Sequence, residues 1–347
     1  MGPGRPGGPG WGPPPTPYRY SAPRRRGGGP GVGVVFGLGF VAFIIVCGVV
    51  GMKAFSTGSS TPSAGSPIAP PSTSSTSEAS TQPSPLASTE GGTPGTTSGT
   101  TSGSGSSGAE AATANRLYQV GALNGYGCRG RLIAQGVPSS FAGFLNSTTD
   151  CLDRTWSSAF RQAGIPFSPP TRVFWTTPGR SPCGDYPAPG AAAFYCPLNH
   201  AMYIGVTHAQ EAAGGLPVRY NVAYAREVAH EYGHSVQDQA GILDYSHEAR
   251  VSAGSIDERN AITRRSELQA QCLAGIFMSS ARPTFPVTPD QWNMALRDSY
   301  GRGDDPSQPD TRDHGSRRHY AGWLNLGYTR GAANVCNTWT ADPSLVS

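Results

Sequence analysis

The pattern of hydrophobic and polar positions changes along this chain of 347 residues and divides it into distinct regions. Residues 32–52 are uncharged and mainly apolar, about the length that a helix needs to cross a lipid bilayer. On either side Gly, Pro, Ser and Thr dominate, whereas from residue 115 onward apolar, polar and charged residues mix as in globular domains. The pattern predicts a disordered cytoplasmic tail over 1–30, a transmembrane helix over 31–53, a disordered linker over 54–114 and one folded domain over 115–347.

The charges beside the apolar segment predict its orientation. Arg24, Arg25 and Arg26 precede the segment, and only Lys53 stands directly after it. By the positive-inside rule the N-terminus is then cytoplasmic, so we expect a single-pass cell-membrane protein with an extracytoplasmic domain. A cleaved signal peptide is the alternative, but the preceding region is long for one and no Ala-x-Ala site follows.

Within the domain, the apolar spacing predicts two long helices. Residues 221–240 read as a helix that ends at Gly241, and residues 263–280 read as an amphipathic helix. Three short strands are predicted before them, over 172–176, 192–195 and 202–206. The expected fold class is therefore α+β.

Charge narrows the classes of partner. The formal net charge of the chain is +4, but residues 115–347 hold 20 Arg against 19 Asp and Glu. The excess of basic residues surrounds the apolar segment instead. We therefore expect no nucleic-acid partner, because such domains carry a clear basic surface.

The cysteines indicate disulfide bonds. Cys47 lies in the apolar segment and six more lie in the domain, an even number that favours pairing in an exported protein. No CxxC pair is present, so a cysteine-rich zinc knuckle is not indicated. Six cysteines allow several connectivities, among which the sequence alone does not choose. We expect Cys128–Cys151 and Cys183–Cys196, which are neighbours in sequence, and Cys272–Cys336, which would tie the C-terminal tail to a core helix.

The segment His230-Glu231-Tyr232-Gly233-His234 carries the candidate chemistry. On a helix the two histidines lie one turn apart on the same face, so both can bind one metal ion. Glu231 is rotated by about 100° from His230, which places it beside the ion as a general base. The alternative is a buried helix whose histidines only form hydrogen bonds.

A catalytic zinc site needs a third protein ligand. The HExxHxxGxxH arrangement is excluded, because Gln237 and Ala240 occupy the glycine and third-histidine positions. The remaining candidates are downstream glutamates: Glu248, Glu258 and Glu267. We choose Glu267 because it lies on the second helix, with Gln271 one turn further able to accept an N–H from a ligand histidine. Glu258 is second choice.

Three segments together resemble a known family. Phe194-Tyr195-Cys196-Pro197, the HEYGH segment and the block Arg265-Ser266-Glu267-Leu268-Gln269-Ala270-Gln271-Cys272-Leu273-Ala274-Gly275 are similar to the bacterial "putative neutral zinc metallopeptidases". The resemblance covers residues 115–339. It implies a zincin-like core, one Zn²⁺ ion bound by His230, His234 and Glu267, and hydrolysis of peptide or protein substrates. In such a core, a strand over 201–206 is expected to border the cleft.

Some positions depart from the family pattern. Gln271 stands where the family usually has Asp, which removes a negative charge behind a ligand histidine. Gly205 replaces a common acidic residue. Near the C-terminus, residues 313–316 match the family's His-Gly segment, but His319-Tyr320 replaces its usual Gln-Arg.

His314 is the candidate for binding the oxyanion of the tetrahedral intermediate. A surface loop histidine is the alternative interpretation, and Tyr203 could take the role instead. The first functional hypothesis is a membrane-anchored zinc metallopeptidase with Glu231 as general base. The second is a catalytically weak or inactive zinc-binding scaffold module at the cell wall. A cell-wall amidase is third, since no peptidoglycan-binding repeat is visible.

Overall fold

The computed structural model describes residues 108–187, 192–209, 215–304 and 312–347. The predicted tail, transmembrane helix and most of the predicted linker lie outside these residues. In the described part, no helix is both long enough and apolar enough to cross a membrane. The predicted anchor therefore stays a prediction.

The described chain is a mixed α+β domain that is mostly helical. Its helices are α1 (Ala109–Thr113), α2 (Pro138–Ala163), α3 (Asn221–Gln239), α4 (Ile242–Ser252), α5 (Ile256–Ala281), α6 (Pro289–Arg302) and α7 (Arg317–Arg330). Its strands are β1 (Thr171–Trp175), β2 (Gly179–Ser181), β3 (Gly184–Tyr186), β4 (Ala193–Cys196) and β5 (Ala201–Gly205). The two predicted helices and three predicted strands are present, with boundaries shifted by one residue except at the start of α5.

Helix α5 begins seven residues earlier than the apolar spacing predicts. The Ser255 side chain accepts a hydrogen bond from the backbone N–H of Glu258, and Asp257 and Glu258 lie in the first turn. A serine N-cap with acidic residues in the first turn satisfies the unpaired N–H groups and the helix dipole there. This polar turn carries no apolar period, which is why the period alone misses it.

Helix α5 is the centre of the core because α3 and α7 both pack closely against it. A Cβ at Gly275 would lie 2.2 Å from the Leu324 carbonyl oxygen, and one at Gly327 would lie 2.1 Å from the Cys272 carbonyl oxygen. The α5–α7 crossing therefore requires glycine at both positions. A Cβ at Gly233 would lie 3.2 Å from Ala270 Cα, so α3 also approaches α5 closely.

The three-stranded sheet has the order β1-β5-β4. Strand β5 pairs parallel with β1 and antiparallel with β4, with Phe194 opposite Tyr203. The expectation that residues 201–206 border the cleft is wrong, because β1 and β4 occupy both edges of β5. The edge strand Ala193–Cys196 borders the cleft instead.

Two of the three expected disulfide bonds are present. Cys183–Cys196 joins the β2–β3 hairpin to β4, and Cys272–Cys336 joins α5 to the C-terminal segment. The expected Cys128–Cys151 bond is absent, and both residues are buried thiols. The two thiols share a hydrogen bond instead, which raises the pKa of Cys128 and lowers the pKa of Cys151. Arg154 also donates to Cys151 Sγ at 3.3 Å.

Candidate metal centre

His230, His234 and Glu267 meet between α3 and α5. His230 Nε2 lies 3.3 Å from Glu267 Oε2, and His234 Nε2 lies 3.5 Å from Glu267 Oε1. One potential ligand atom from each residue lies within 4.8 Å of the others. All three residues are buried. Two imidazole nitrogens and one carboxylate form a donor set that suits zinc.

The local sequence explains why these side chains converge. The histidines are one turn apart on α3, and Gly233 between them lets α3 approach Ala270 of α5. Glu267 lies one turn before Ala270 on the same helix, so the close crossing carries its carboxylate to the histidines. The other candidate glutamates lie elsewhere. Glu258 is exposed and accepts a hydrogen bond from the Gly254 backbone, while Glu248 is exposed on α4.

A hydrogen-bond network behind His234 fixes its orientation. His234 Nδ1 lies 2.9 Å from Gln237 Oε1, so Nδ1 carries the proton and Nε2 faces the carboxylate. The Gln237 amide then donates to the Ser266 carbonyl at 2.8 Å and to Gln269 Oε1 at 2.9 Å. Gln237 and Gln269 were not among the residues predicted to support the site. The available signal was Gln237 standing three residues after His234, within reach of its ring.

The surroundings of His230 differ. The buried His230 Nδ1 has no hydrogen-bond partner among the described residues, and His234 Nδ1 is bound to Gln237. The expectation that Gln271 accepts an N–H from a ligand histidine is therefore wrong. Gln271 lies four residues beyond Glu267, on the side of α5 that faces Tyr320.

Burial and mutual charge separate the pKa values of the cluster. Burial lowers the pKa of His230 to about 4. Burial also acts to lower the pKa of His234, but the Glu267 carboxylate outweighs it and raises that pKa to about 9. Although burial opposes ionisation of Glu267, the two histidines hold its pKa well below the usual range. Glu267 is thus a carboxylate, as a metal ligand must be.

Glu231 lies beside the three residues without joining them. Burial raises the pKa of its carboxyl to about 8, far above that of an ordinary glutamate. A carboxyl group with a pKa near neutrality can both accept and return a proton, which general acid–base catalysis requires.

His314 is not a surface histidine. Its Nδ1 lies 2.7 Å from Asp313 Oδ1, and its backbone N–H donates to Asp304 at 2.9 Å. Burial acts to lower its pKa, but the Asp313 hydrogen bond and the Glu267 charge raise it to about 9. The imidazolium can therefore donate a hydrogen bond from Nε2 into the cleft. Tyr203 stacks on Phe194 with ring centroids 4.7 Å apart, so it serves packing.

Gly205 lies outside the cleft. A Cβ there would lie 2.7 Å from the Trp175 ring and 3.0 Å from His208 Cβ. Trp175 thus fills the space that any side chain at position 205 would need. The replacement of an acidic residue by Gly205 consequently leaves the metal centre untouched.

The three residues of the metal centre, Glu231 and His314 all line a cleft of about 650 Å³. The cleft is lined by residues of α3, β4 and α4, together with His314 and Tyr320. Two polar clusters include residues that line the cleft. Tyr195 and His200 both bind Asp238 Oδ2, at 2.6 Å and 2.7 Å. Glu227 forms ion pairs with Arg226 and Arg302. Neither cluster was predicted from the sequence.

Comparison with known sequences agrees with this geometry. The family model described as "Putative neutral zinc metallopeptidase" matches residues 131–339, more than half of the chain. The chain belongs to this family. The matched region contains the metal centre, Glu231 and His314, so family membership covers the whole cleft.

Similar proteins occur in Escherichia coli and in Mycobacterium tuberculosis. The uncharacterized protein YpfJ of Escherichia coli K12 is 27% identical over 209 residues, which cover 58% of this chain and 71% of YpfJ. The uncharacterized protein Rv2575 of Mycobacterium tuberculosis H37Rv is 32% identical over 174 residues, which cover 43% of this chain and 55% of Rv2575. No solved structure matches the chain significantly.

Proposed function

We propose that this protein is a zinc-dependent metallopeptidase that hydrolyses peptide bonds in a zincin-like cleft. The observation that carries the proposal is the convergence of His230 Nε2, His234 Nε2 and a Glu267 carboxylate oxygen beside the buried Glu231. A purely structural zinc site has no use for a buried general base next to the ligands.

The residues fit a catalytic zinc ion. Three protein ligands leave one coordination position open, and the Gln237 network holds His234 in the tautomer that binds through Nε2. A zinc ion held there would polarise the substrate carbonyl and lower the pKa of water. Glu231 accepts the proton of the attacking water and delivers it to the leaving amine. His314 donates a hydrogen bond from Nε2 to the carbonyl oxygen as negative charge develops on it.

The substrate binds along β4. Among the described residues, the outer edge of Ala193–Cys196 has no strand partner, and residues of this strand line the cleft. An extended peptide can add to such an edge through main-chain hydrogen bonds, which position it without strong dependence on its side chains. The scissile bond would then lie above the ligand face of α3.

We also propose that the domain acts outside the cytoplasm, anchored by residues 31–53. The apolar segment and its flanking charges support this, and so do the Cys183–Cys196 and Cys272–Cys336 bonds. Disulfide bonds persist in oxidising compartments and are rare in the cytosol. Protease protection of the domain in intact cells, compared with lysed cells, would place it in the cytoplasm and contradict the anchor.

Metal analysis combined with peptide cleavage tests the proposed reaction. We expect the wild type to bind one zinc ion and cleave peptides, and His230→Ala or Glu267→Ala to lose the zinc. Glu231→Gln should retain zinc and lose at least about a hundredfold in turnover. A Glu231→Gln protein with full activity would refute the mechanism.

A zinc-binding scaffold without catalysis is the second candidate. The absence of a hydrogen bond at His230 Nδ1 favours it, because a ligand histidine without support is less basic. One zinc ion per chain, with no cleavage of a broad peptide library, would identify this function.

A further inference from the structure

Arg250 lines the cleft without an ionic partner. It lies in the last turn of α4 and is half-buried. Its Nε is buried with no hydrogen-bond partner, and within the described chain the guanidinium forms no ion pair. Because arginine stays charged in proteins, a partly desolvated guanidinium without a partner costs free energy in the absence of ligand.

The second arginine in the described wall of the cleft has a different environment. Arg302 donates to Asp298 Oδ2 at 2.8 Å and to Glu227 Oε1 at 3.4 Å. Two carboxylates therefore balance its charge within the protein. Arg250 lacks such compensation, so its donors remain available to a molecule in the cleft.

The groups that act on Arg250 place it on the side of the metal centre. Burial lowers the pKa of its guanidinium, and the Asp313 and Glu267 carboxylates act in the opposite direction. Both carboxylates are already engaged: Asp313 binds His314, and Glu267 contacts the ligand histidines. A bound zinc ion would add positive charge beside Glu267. This side of the cleft therefore favours an anion.

We propose that Arg250 binds a carboxylate of the peptide substrate, either at the chain's C-terminus or on an Asp or Glu side chain. The planar guanidinium matches a carboxylate through two parallel hydrogen bonds. The inference rests on the proposed peptidase function and names the substrate class that this cleft prefers.

The acidic residues at the mouth of the cleft do not cancel this preference. Asp244 and Glu248 of α4 line the cleft, but both are exposed to solvent. Exposed charges are screened by water and salt, whereas the charge of Arg250 acts in a desolvated region. Neither Asp244 nor Glu248 is among the groups that shift the Arg250 pKa.

Calorimetric binding to the full-length zinc-loaded Glu231→Gln protein tests the proposal. Three N-acetylated alanine-rich hexapeptides suffice: a C-terminal amide with a central Gln, the same amide with a central Glu, and the central-Gln peptide with a free C-terminus. We expect one carboxylate peptide to bind about tenfold or more tightly than the neutral peptide. Tighter binding of the central-Glu amide would identify a side-chain carboxylate, and tighter binding of the free C-terminus would identify the terminal carboxylate.

Adding Arg250→Met should abolish this difference at unchanged zinc content and melting temperature. Arg250→Lys, which retains charge without the planar fork, should keep part of the difference and serves if the Met variant is unstable. Arg259→Met is the matched control, since Arg259 is exposed, near Arg250 and outside the cleft wall. It should keep the full difference.

Equal binding of the three peptides, no measurable binding, or a difference that survives Arg250→Met would overturn the inference. Wild-type cleavage without any carboxylate preference would overturn it while leaving the peptidase function intact. Carboxylate-dependent binding without wild-type cleavage would support it and contradict the peptidase function.

Discussion

The two ligand histidines stand one turn apart on the same helix, yet their surroundings differ. His234 is supported by Gln237, which is held in turn by the Ser266 carbonyl and Gln269. His230 Nδ1 has no hydrogen-bond partner. The difference arises because the residue three positions after His234 is Gln237, whereas the residue three positions after His230 is Gly233, which has no side chain. The HEYGH segment therefore gives one histidine a partner for Nδ1 and leaves the other without one among the described residues.

Both histidines reach Glu267 only because α3 and α5 touch at Gly233. Breaking that contact should have the largest effect on stability and zinc affinity. We expect Gly233→Leu to lower the free energy of unfolding by about 3 kcal/mol, because the Ala270 backbone cannot yield to the new side chain. Zinc affinity should fall at least about a hundredfold, since ligand positions tolerate only tenths of an ångström. Chemical unfolding and competitive zinc titration measure both.

Gly301→Leu is the control for this substitution. Gly301 is an exposed helical glycine of α6, and a Cβ there meets no atom within 4 Å. If Gly301→Leu weakened zinc binding as much as Gly233→Leu, the crossing would not be the cause.

Removing the support of His234 should have the next largest effect. Gln237→Leu deletes the acceptor for His234 Nδ1 and removes the amide donor that Gln237 supplies to the Ser266 carbonyl and to Gln269 Oε1. We expect the zinc dissociation constant to rise about 10- to 100-fold, measured by competition with a chelator. Gln239→Leu, which removes bonds only to Ser168 and Ser235, should leave it unchanged.

Removing the Gln271 amide should change zinc affinity less than removing the Gln237 amide. Gln271→Leu should change zinc affinity less than about threefold, because Gln271 makes no hydrogen bond to His230 or His234. Gln271→Asp should raise zinc affinity about tenfold if the carboxylate accepts the His230 N–H. The same chelator competition checks both variants. If Gln271→Leu lost as much zinc affinity as Gln237→Leu, the proposed difference in support between His230 and His234 would be refuted.

The zinc-free protein should show a pH dependence of its stability. The pKa of His234 is raised to about 9, so its charged form stabilises the fold fully below about pH 6.5. That contribution is lost as the pH rises through 9. Urea unfolding of zinc-free wild type and His234→Gln should therefore converge between pH 6 and pH 9.5. Parallel stability curves would contradict the shift.

Several features followed from the sequence because they depend on local geometry. The 3.6-residue period of a helix fixes the relation of His230, Glu231 and His234 whatever surrounds them. The same periodicity indicated the second helix with Glu267. The even number of cysteines predicted disulfide bonds, of which Cys183–Cys196 and Cys272–Cys336 are present and Cys128–Cys151 is not.

Other features depended on contacts between segments distant in sequence. The cleft is bordered by Ala193–Cys196 and not by residues 201–206, because strand order follows from pairing across the sheet and not from strand pattern. The vacant space beside Gly205 is filled by Trp175, thirty residues earlier.

The sequence by itself thus determined the helical spacing of His230, Glu231 and His234, and it predicted Glu267 as the third candidate ligand. Only the tertiary structure decided that Gln237 supports His234, that Gln271 supports neither histidine, and that Arg250 enters the cleft without a partner. The physical reason is that spacing within one helix is fixed by backbone hydrogen bonds. The hydrogen bonds and charges of each side chain depend instead on where separate helices cross.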